Sequence, residues 1–305
     1  MGENSKTSGE NGEKLTKEFF ELIGWKGAVK GVSVKCCDSK HECKTHGNDY
    51  VYIYDNFLHE NRTDVVFVSC KNSRDGYPKT TKSLQQLFKK HLNELEKIAD
   101  CSKFDPDIDK MVQNQEVRKN KNYIGLLIWT HGNSESLHKD IKTELKNIQL
   151  NLTSKIPLYF VDMSRFSFIV DALTHLQYEN ASDEYNFYYP KLGDIISSED
   201  KRYGKKLPIE LLVSDLIPIR IKKGENLSLH LYANQDFSEE NLKKLCCLAL
   251  DFADGWVQDI SIKFRTYHPA NDIQIKDTVL MTFNNNVNID VSSFNKNSLN
   301  LLEKK

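Results

Sequence analysis

The sequence predicts an α/β protein, and three observations carry that reading. Short runs rich in Val, Ile, Tyr and Phe alternate with segments whose apolar residues recur at helical spacing. One run, Tyr123-Ile124-Gly125-Leu126-Leu127-Ile128-Trp129-Thr130, is almost wholly apolar, as expected of a strand covered on both faces. Between it and an earlier strand at 64–71 lies an amphipathic stretch, about 82–100, long enough to be the crossover of a parallel pair.

Taken in order, residues 1–8 are small and polar and read as disordered. Leu15, Phe19, Leu22 and Ile23 then fall at helical spacing, with Glu10 and Glu13 near the start and Gly24 as a stop. Residues 28–35 carry Val29, Val32 and Val34 and read as a strand. Two further strands, 48–55 and 64–71, are joined by the polar connection 56–63 as a looped hairpin. After the Gly- and Pro-containing break at 72–78, Leu84, Leu87, Phe88, His91, Leu92, Leu95, Ile98 and Ala99 fit one helical face.

Residues 101–122 read as a surface loop with some helix, followed by the buried strand. A polar helix near 134–149, a strand at 157–161 and a helix at 164–177, capped by Asp162 or Ser164, come next. Residues 179–206 read as polar loop. A second unit is expected from about 207: strands at 208–213, 217–221 and 227–232, a helix capped by Ser238, strands at 259–266 and 278–283, and an Asn- and Lys-rich tail. The expected domains are therefore 9–200, with its core at about 9–131, and a C-terminal α/β region at 201–305.

The 305 residues include 42 basic and 43 acidic side chains, so a formal charge of −1 gives no global attraction to polyanions, and any such site is local. No apolar run is long enough to span a bilayer, and the polar, acidic start does not read as a signal peptide. The expectation is a cytoplasmic protein with no membrane partner. Seven cysteines, an odd number with adjacent pairs at Cys36-Cys37 and Cys246-Cys247, do not form a disulfide framework.

The chemistry centres on Asp49, at the start of one hairpin strand, and Lys71, at the end of the other. Phosphodiester hydrolysis needs a metal ion to polarise the phosphate, an oriented water and a cation against the developing charge. Asp49 and the main-chain carbonyl of Cys70 are hard oxygen donors for such an ion, and Lys71 is placed to orient water or bind phosphate. On spacing alone, a turn aspartate and a solvated lysine are the better fit, and it is the order of elements around them that favours the chemical reading. Asp55, at the far end of its strand from Lys71, ranks second as the acid.

Cys36, Cys37, His41, Cys43 and His46 lie within eleven residues and invite a zinc reading. The spacing Cys37-x3-His41-x-Cys43-x2-His46 is tighter than common zinc patterns, and no second ligand pair follows. His46, close to Asp49, is instead a candidate substrate contact. The chain has no Gly-x4-Gly-Lys-Ser/Thr, no Gly-x-Gly-x-x-Gly and no Gly-x-Ser-x-Gly around Ser164. The basic segments 118–121 and 201–206, the latter with Tyr203, are candidates for a nucleic-acid path, and the aromatics at 187–189 for a partner surface.

With this order of helix, three strands, helix and strand, with Asp49 on the second strand and Ser69-Cys70-Lys71 closing the third, the chain resembles the restriction-endonuclease-like superfamily of PD-(D/E)XK nucleases. The resemblance covers about residues 9–131 and implies an αβββαβ core, a Mg²⁺ or Mn²⁺ cofactor and a nucleic-acid substrate. It places Asp49 as the first acid, Glu13 as the helix glutamate and Lys71 as the catalytic lysine. Asp49, Glu13 and the Cys70 carbonyl become the metal ligands. Lys82 and Gln85, near a helix start that itself favours anions, become substrate contacts.

One position departs from the pattern. Ser69 stands where the superfamily usually has Glu, Asp or Gln, so the motif loses a negative charge and a ligand. Either Glu13, the Cys70 carbonyl and substrate phosphate complete the shell, or the subunit binds without cleaving. More narrowly, Gly-Glu near the N-terminus, Glu21-Leu22-Ile23-Gly24-Trp25, His46-Gly47-Asn48-Asp49 and the Ser-x-Lys ending are similar to nuclease subunits of bacterial anti-phage defence islands. That similarity implies DNA or RNA as target, transfer RNA included, and a second co-encoded protein or a homo-oligomer as partner.

Overall fold

The computed structural model describes residues 2–41, 43–59, 61–191, 202–283 and 287–295, with 2–11 as backbone only. Two compact units divide the chain, Met1–Ser167 and Phe168–Lys305. The first contains α1 (Gly2–Leu22), β1 (Val29–Lys35), β2 (Thr45–Asp55), β3 (Arg62–Ser73), α2 (Thr81–Ser102), α3 (Pro106–Gln113), β4 (Asn120–His131), a short α4 (Lys142–Leu145) and β5 (Leu158–Asp162). Its sheet runs β1-β2-β3-β4-β5. The first three strands are antiparallel neighbours, and β3, β4 and β5 are parallel. This is the expected αβββαβ order, with α2 as the crossover from β3 to β4.

Alternation along β2 divides the two faces of this sheet. Val51 and Ile53 join Val65, Phe67, Ala99 and Ile108 in a core beneath α2 and α3. Tyr50 and Tyr52 point the other way, where Phe20 meets the Tyr50 ring at 5.3 Å and Trp25 stacks on Tyr52 at 4.8 Å. Thr80 caps α2 by accepting the Ser83 N–H, and Leu84, Phe88, Leu92 and Leu95 then pack on Leu127 and Trp129 of β4. Gly125 sits where a Cβ would lie 2.5 Å from the Leu158 side chain and 3.2 Å from Leu95, so strand and helix close only over a glycine.

Some elements differ from expectation. α1 is helical from Gly2, so it takes in most of the segment 1–8 that composition reads as disordered. Only a 3₁₀ turn at Ser134–Ser136 and the four-residue α4 form within 134–149, a segment that buries just Ile141 and Leu145. The unit division falls inside α5 (Met163–Glu179), well before the boundary expected near 200.

The second unit adds β6 (Glu184–Tyr188), β7 (Tyr203–Gly204), α6 (Ile209–Leu212), β8 (Leu216–Lys223), β9 (Asn226–Ala233), α7 (Glu239–Ala253), β10 (Asp259–Phe264), α8 (Pro269–Met281) and β11 (Asn288–Ser293). The sheet order is β11-β10-β9-β8-β6-β7. β6 pairs antiparallel with β8, and this pairing brings 184–188 into the second unit. Phe187, Tyr188 and Tyr189 are buried there, so they form core and not the partner surface expected of them. The strand expected at 208–213 is the short α6, and the one at 278–283 is the end of α8, which Pro269 opens at a position where its missing N–H costs nothing. Ser238 caps α7 as expected, accepting the Asn241 N–H at 3.1 Å. Lys201 and the tail from 296 lie outside the described residues.

Candidate active site

The site begins where two strands part. The β2–β3 ladder runs from Asp55↔Thr63 to Tyr50↔Val68 and closes there. β2 continues to pair with β1 as far as Thr45, and β3 with β4 as far as Ser73. In the opening, the Cys70 N–H donates to Asp49 Oδ2 at 2.6 Å, so a side chain takes the place of a ladder acceptor. The N–H and C=O of one extended residue point to the same side of a strand, so the Cys70 carbonyl faces the same opening.

α1 is brought over this opening by a close approach. A Cβ on Gly12 would sit 2.6 Å from the Asn72 Cβ, so glycine is required where the helix crosses the end of β3. The Tyr50 hydroxyl donates to the Glu13 carbonyl at 2.9 Å and fixes the helix to β2. Glu13 is thereby carried to the site's edge, where it pairs with Lys30 at 2.8 Å and acts electrostatically on Asp49.

From the other face, Lys71 Nζ meets Glu94 Oε1 of α2 at 2.9 Å. Asp49 is held above the ordinary carboxylate value, chiefly by burial, with Glu13 and Glu94 adding like charge against the Cys70 N–H and Lys71. The Cys70 thiol, pushed up to about 12 by burial, stays protonated and is no nucleophile. Three carboxylates and one lysine therefore act on one another across β2, β3, α1 and α2.

Ser69 is buried at 2 % exposure, so its hydroxyl does not open to solvent. Position 69 lacks a carboxylate, and the one that meets Lys71 is Glu94, which the strand motif does not reveal. Its signal was the polar stripe Gln86, Lys90, Glu94 and Lys97 beside the apolar face of α2. What the stripe could not reveal is its register against Lys71.

A groove of about 710 Å³ follows that stripe, with Lys89, Lys90, Asn93, Glu94 and Lys97 facing His46. His46 is thus brought to the groove, although its ring is mostly buried. Lys82 and Gln85 are not among the groove residues: Lys82 is exposed near the start of α2, and Gln85 Nε2 donates to the Glu144 carbonyl at 2.7 Å, tying α2 to α4. Asp55 is occupied at the other end of β2, accepting from Thr63 at 2.5 Å and pairing with Arg118 at 3.3 Å. Among the basic segments, Arg118 donates to the Asn56 and His59 carbonyls, Lys205 to the Tyr185 carbonyl, and Arg220 lies 4.1 Å over the Tyr203 ring.

The donors around this opening are of the chemical kind that a hard divalent cation takes. Asp49, Glu13 and Glu94 offer carboxylates, the Cys70 carbonyl faces the same opening, and every one is a hard oxygen ligand. The excess of negative over positive charge around buried Asp49 is what a cation would relieve. Against known proteins, the family model described as the GAPS4 protein PD-(D/E)XK nuclease domain matches residues 1–165. No curated protein and no solved structure matches the chain.

Proposed function

The chain belongs to the family of GAPS4 protein PD-(D/E)XK nuclease domains, and on that premise we propose that it is a Mg²⁺- or Mn²⁺-dependent endonuclease hydrolysing nucleic-acid phosphodiesters. The observation that carries this reading is the opening between β2 and β3, where Asp49, Cys70 and Lys71 meet Glu13 and Glu94. Asp49, Glu13 and the Cys70 carbonyl would hold the ion, and Glu94 would contribute the charge that Ser69 does not. When bound, the ion supplies Lewis-acid polarisation of the phosphate. Lys71 Nζ, freed from Glu94 by an incoming phosphate, holds the attacking water and offsets charge on the phosphoryl oxygens.

The groove lysines Lys89, Lys90 and Lys97 supply a backbone path, and charge tracking of this kind is tolerant of sequence. DNA and RNA, transfer RNA included, are both substrates this chemistry admits. The setting we propose is an anti-phage effector acting in the cytoplasm beside a second co-encoded subunit or as a homo-oligomer. No helix among the described residues is long and apolar enough to cross a membrane.

The test is incubation of the full chain, with and without its co-encoded neighbour, against DNA and total RNA in Mg²⁺ or Mn²⁺. Cleavage is expected from wild type and is lost in Asp49→Asn and in Lys71→Ala; retention in both variants refutes the site. Burial of Ser69 in place of a motif carboxylate favours a second reading, a subunit that binds nucleic acid or a partner without turnover. Binding that survives with no cleavage under any metal or neighbour selects that one.

A further inference from the structure

Beyond Glu94, at the C-terminal end of α2, a second cluster gathers cysteine and histidine side chains, of which His46 also borders the groove. Cys36 follows β1, His41 lies in the loop to β2, His46 is the second residue of β2, and Cys101 comes from the last turn of α2. The ligand atoms of these four residues all lie within 4.8 Å of one another. Cys36 Sγ is 3.4 Å from His41 Nδ1, Cys101 Sγ is 3.5 Å from the same nitrogen, and the two sulfurs are 4.0 Å apart. The His41 and His46 rings stand edge to face, with centroids 5.2 Å apart.

The separations among Cys36, His41 and Cys101 are close to those of a coordination shell, and His46 lies near enough to complete it. In a tetrahedral zinc site with Zn–S of about 2.3 Å and Zn–N of about 2.0 Å, the S···S edges are about 3.8 Å and the S···N edges about 3.5 Å. Two thiols and two imidazoles form a donor set that suits zinc in preference to the hard cations expected at the carboxylates.

We propose that Cys36, His41, His46 and Cys101 form a structural Zn²⁺ site that ties the β1–β2 loop and the start of β2 to the C-terminal end of α2. Binding displaces the two thiol protons to solvent and leaves both sulfurs as thiolates, with the imidazoles neutral. All four ligands come from the chain, so no position is left for substrate, as in structural zinc sites. His46 is then a ligand three residues before Asp49, and the ion fixes the strand that delivers the catalytic carboxylate. The next hydrogen bond along that seam, from Asn48 Nδ2 to Ser102 Oγ at 2.9 Å, joins the same two elements. The inference stands independently of whether the nuclease site turns over.

Cys37 and Cys43 flank the cluster, with Cys37 Sγ 3.3 Å from Cys101 Sγ and Cys43 Sγ 3.5 Å from His46 Nε2. They define the competing arrangements, a Cys37–Cys101 disulfide formed by an external oxidant or a shell richer in sulfur. Full-length protein purified without chelator should carry one zinc per chain by plasma mass spectrometry. X-ray absorption at the zinc edge, which needs no variant, should fit two sulfurs and two nitrogens. His41→Ala and Cys101→Ser should lose the metal, whereas Cys247→Ser, an exposed cysteine of the second unit, should keep it. The absence of stoichiometric zinc from reduced protein, a shell with three or four sulfurs, or zinc retained in both His41→Ala and Cys101→Ser would overturn the assignment.

Discussion

The two ends of the β2–β3 hairpin use the same residue types to opposite purposes. At the closed end, Asp64 is fully buried, ion-pairs with Arg62, and accepts from Arg62 Nη2 at 3.2 Å, Asn56 at 2.6 Å and Asn122 at 3.0 Å. Asp55 beside it is satisfied by Thr63 and Arg118. At the open end, Asp49 receives a backbone N–H from Cys70, while its charged neighbours are two carboxylates and one lysine. A buried carboxylate whose donors converge on it holds a fold together. One held among like charges at a break in the ladder is arranged for a ligand that is not part of the chain.

Substitutions at the two aspartates should therefore separate activity from stability. Asp49→Asn should lower the proposed cleavage by at least about a thousandfold, since it removes charge from the proposed metal site, while leaving the melting temperature unchanged or raised. Asp64→Ala should do the reverse. Removing the acceptor on which Arg62, Asn56 and Asn122 converge should cost about 3–5 kcal/mol in denaturant unfolding, with cleavage per folded molecule unchanged. A stability loss for Asp49→Asn as large as that for Asp64→Ala would erase the distinction.

The sequence made the open end visible and left its reinforcement hidden. Asp49 and Lys71 stand at strand ends, and local pattern with strand order suffices to bring those ends together. Glu94 and Cys101 belong to α2, and their roles depend on how that helix lies against β3 and the β1–β2 loop, a register that no short window encodes. Cys101 is the clearer case: the local pattern Cys37-x3-His41-x-Cys43-x2-His46 is too tight for common zinc spacings, and Cys101, which stands beside Cys36 and His41, is remote from them in sequence. Lys82 and Gln85 lie outside the groove for another reason. Their distance from the motif was suitable, but helix phase turned Gln85 toward α4 and left the groove to Lys89, Lys90 and Lys97. In the second unit, 184–188 is flanked by polar residues and lacks a strong strand pattern, and pairing with β8 decides its structure.

The supports of the open end can be weakened in steps. Glu94→Gln should reduce cleavage by about a hundredfold, the usual effect of losing one preorganised charged group, and should leave nucleic-acid binding to the groove intact or tighter. Gly12→Ala is the milder probe. The new methyl meets the Asn72 Cβ and lifts α1 from β3 at a cost of about 1–3 kcal/mol, and cleavage should fall because Glu13 moves with the helix. An active, fully stable Gly12→Ala would show that α1 need not lie so close.

The smallest effect is a difference in how the two ends respond to pH and metal. Burial raises the Asp49 carboxyl above its ordinary value of 3.8, so the native state keeps this proton at pH values where the unfolded chain has lost it. Across the window between the ordinary and the raised value, wild-type stability should fall as pH rises, and above it the penalty is constant. Asn at position 49 removes that dependence, so Asp49→Asn should gain on wild type through the window and hold its advantage at neutral pH. Mg²⁺ should reverse the order, because an ion bound only by the native state stabilises it by about 2.7 kcal/mol at a hundred times its Kd. That gain should grow with pH through the same window as Asp49 ionises. Thermal unfolding of both proteins with and without Mg²⁺ measures it, and an equal metal-induced shift in the two would place the ion away from Asp49.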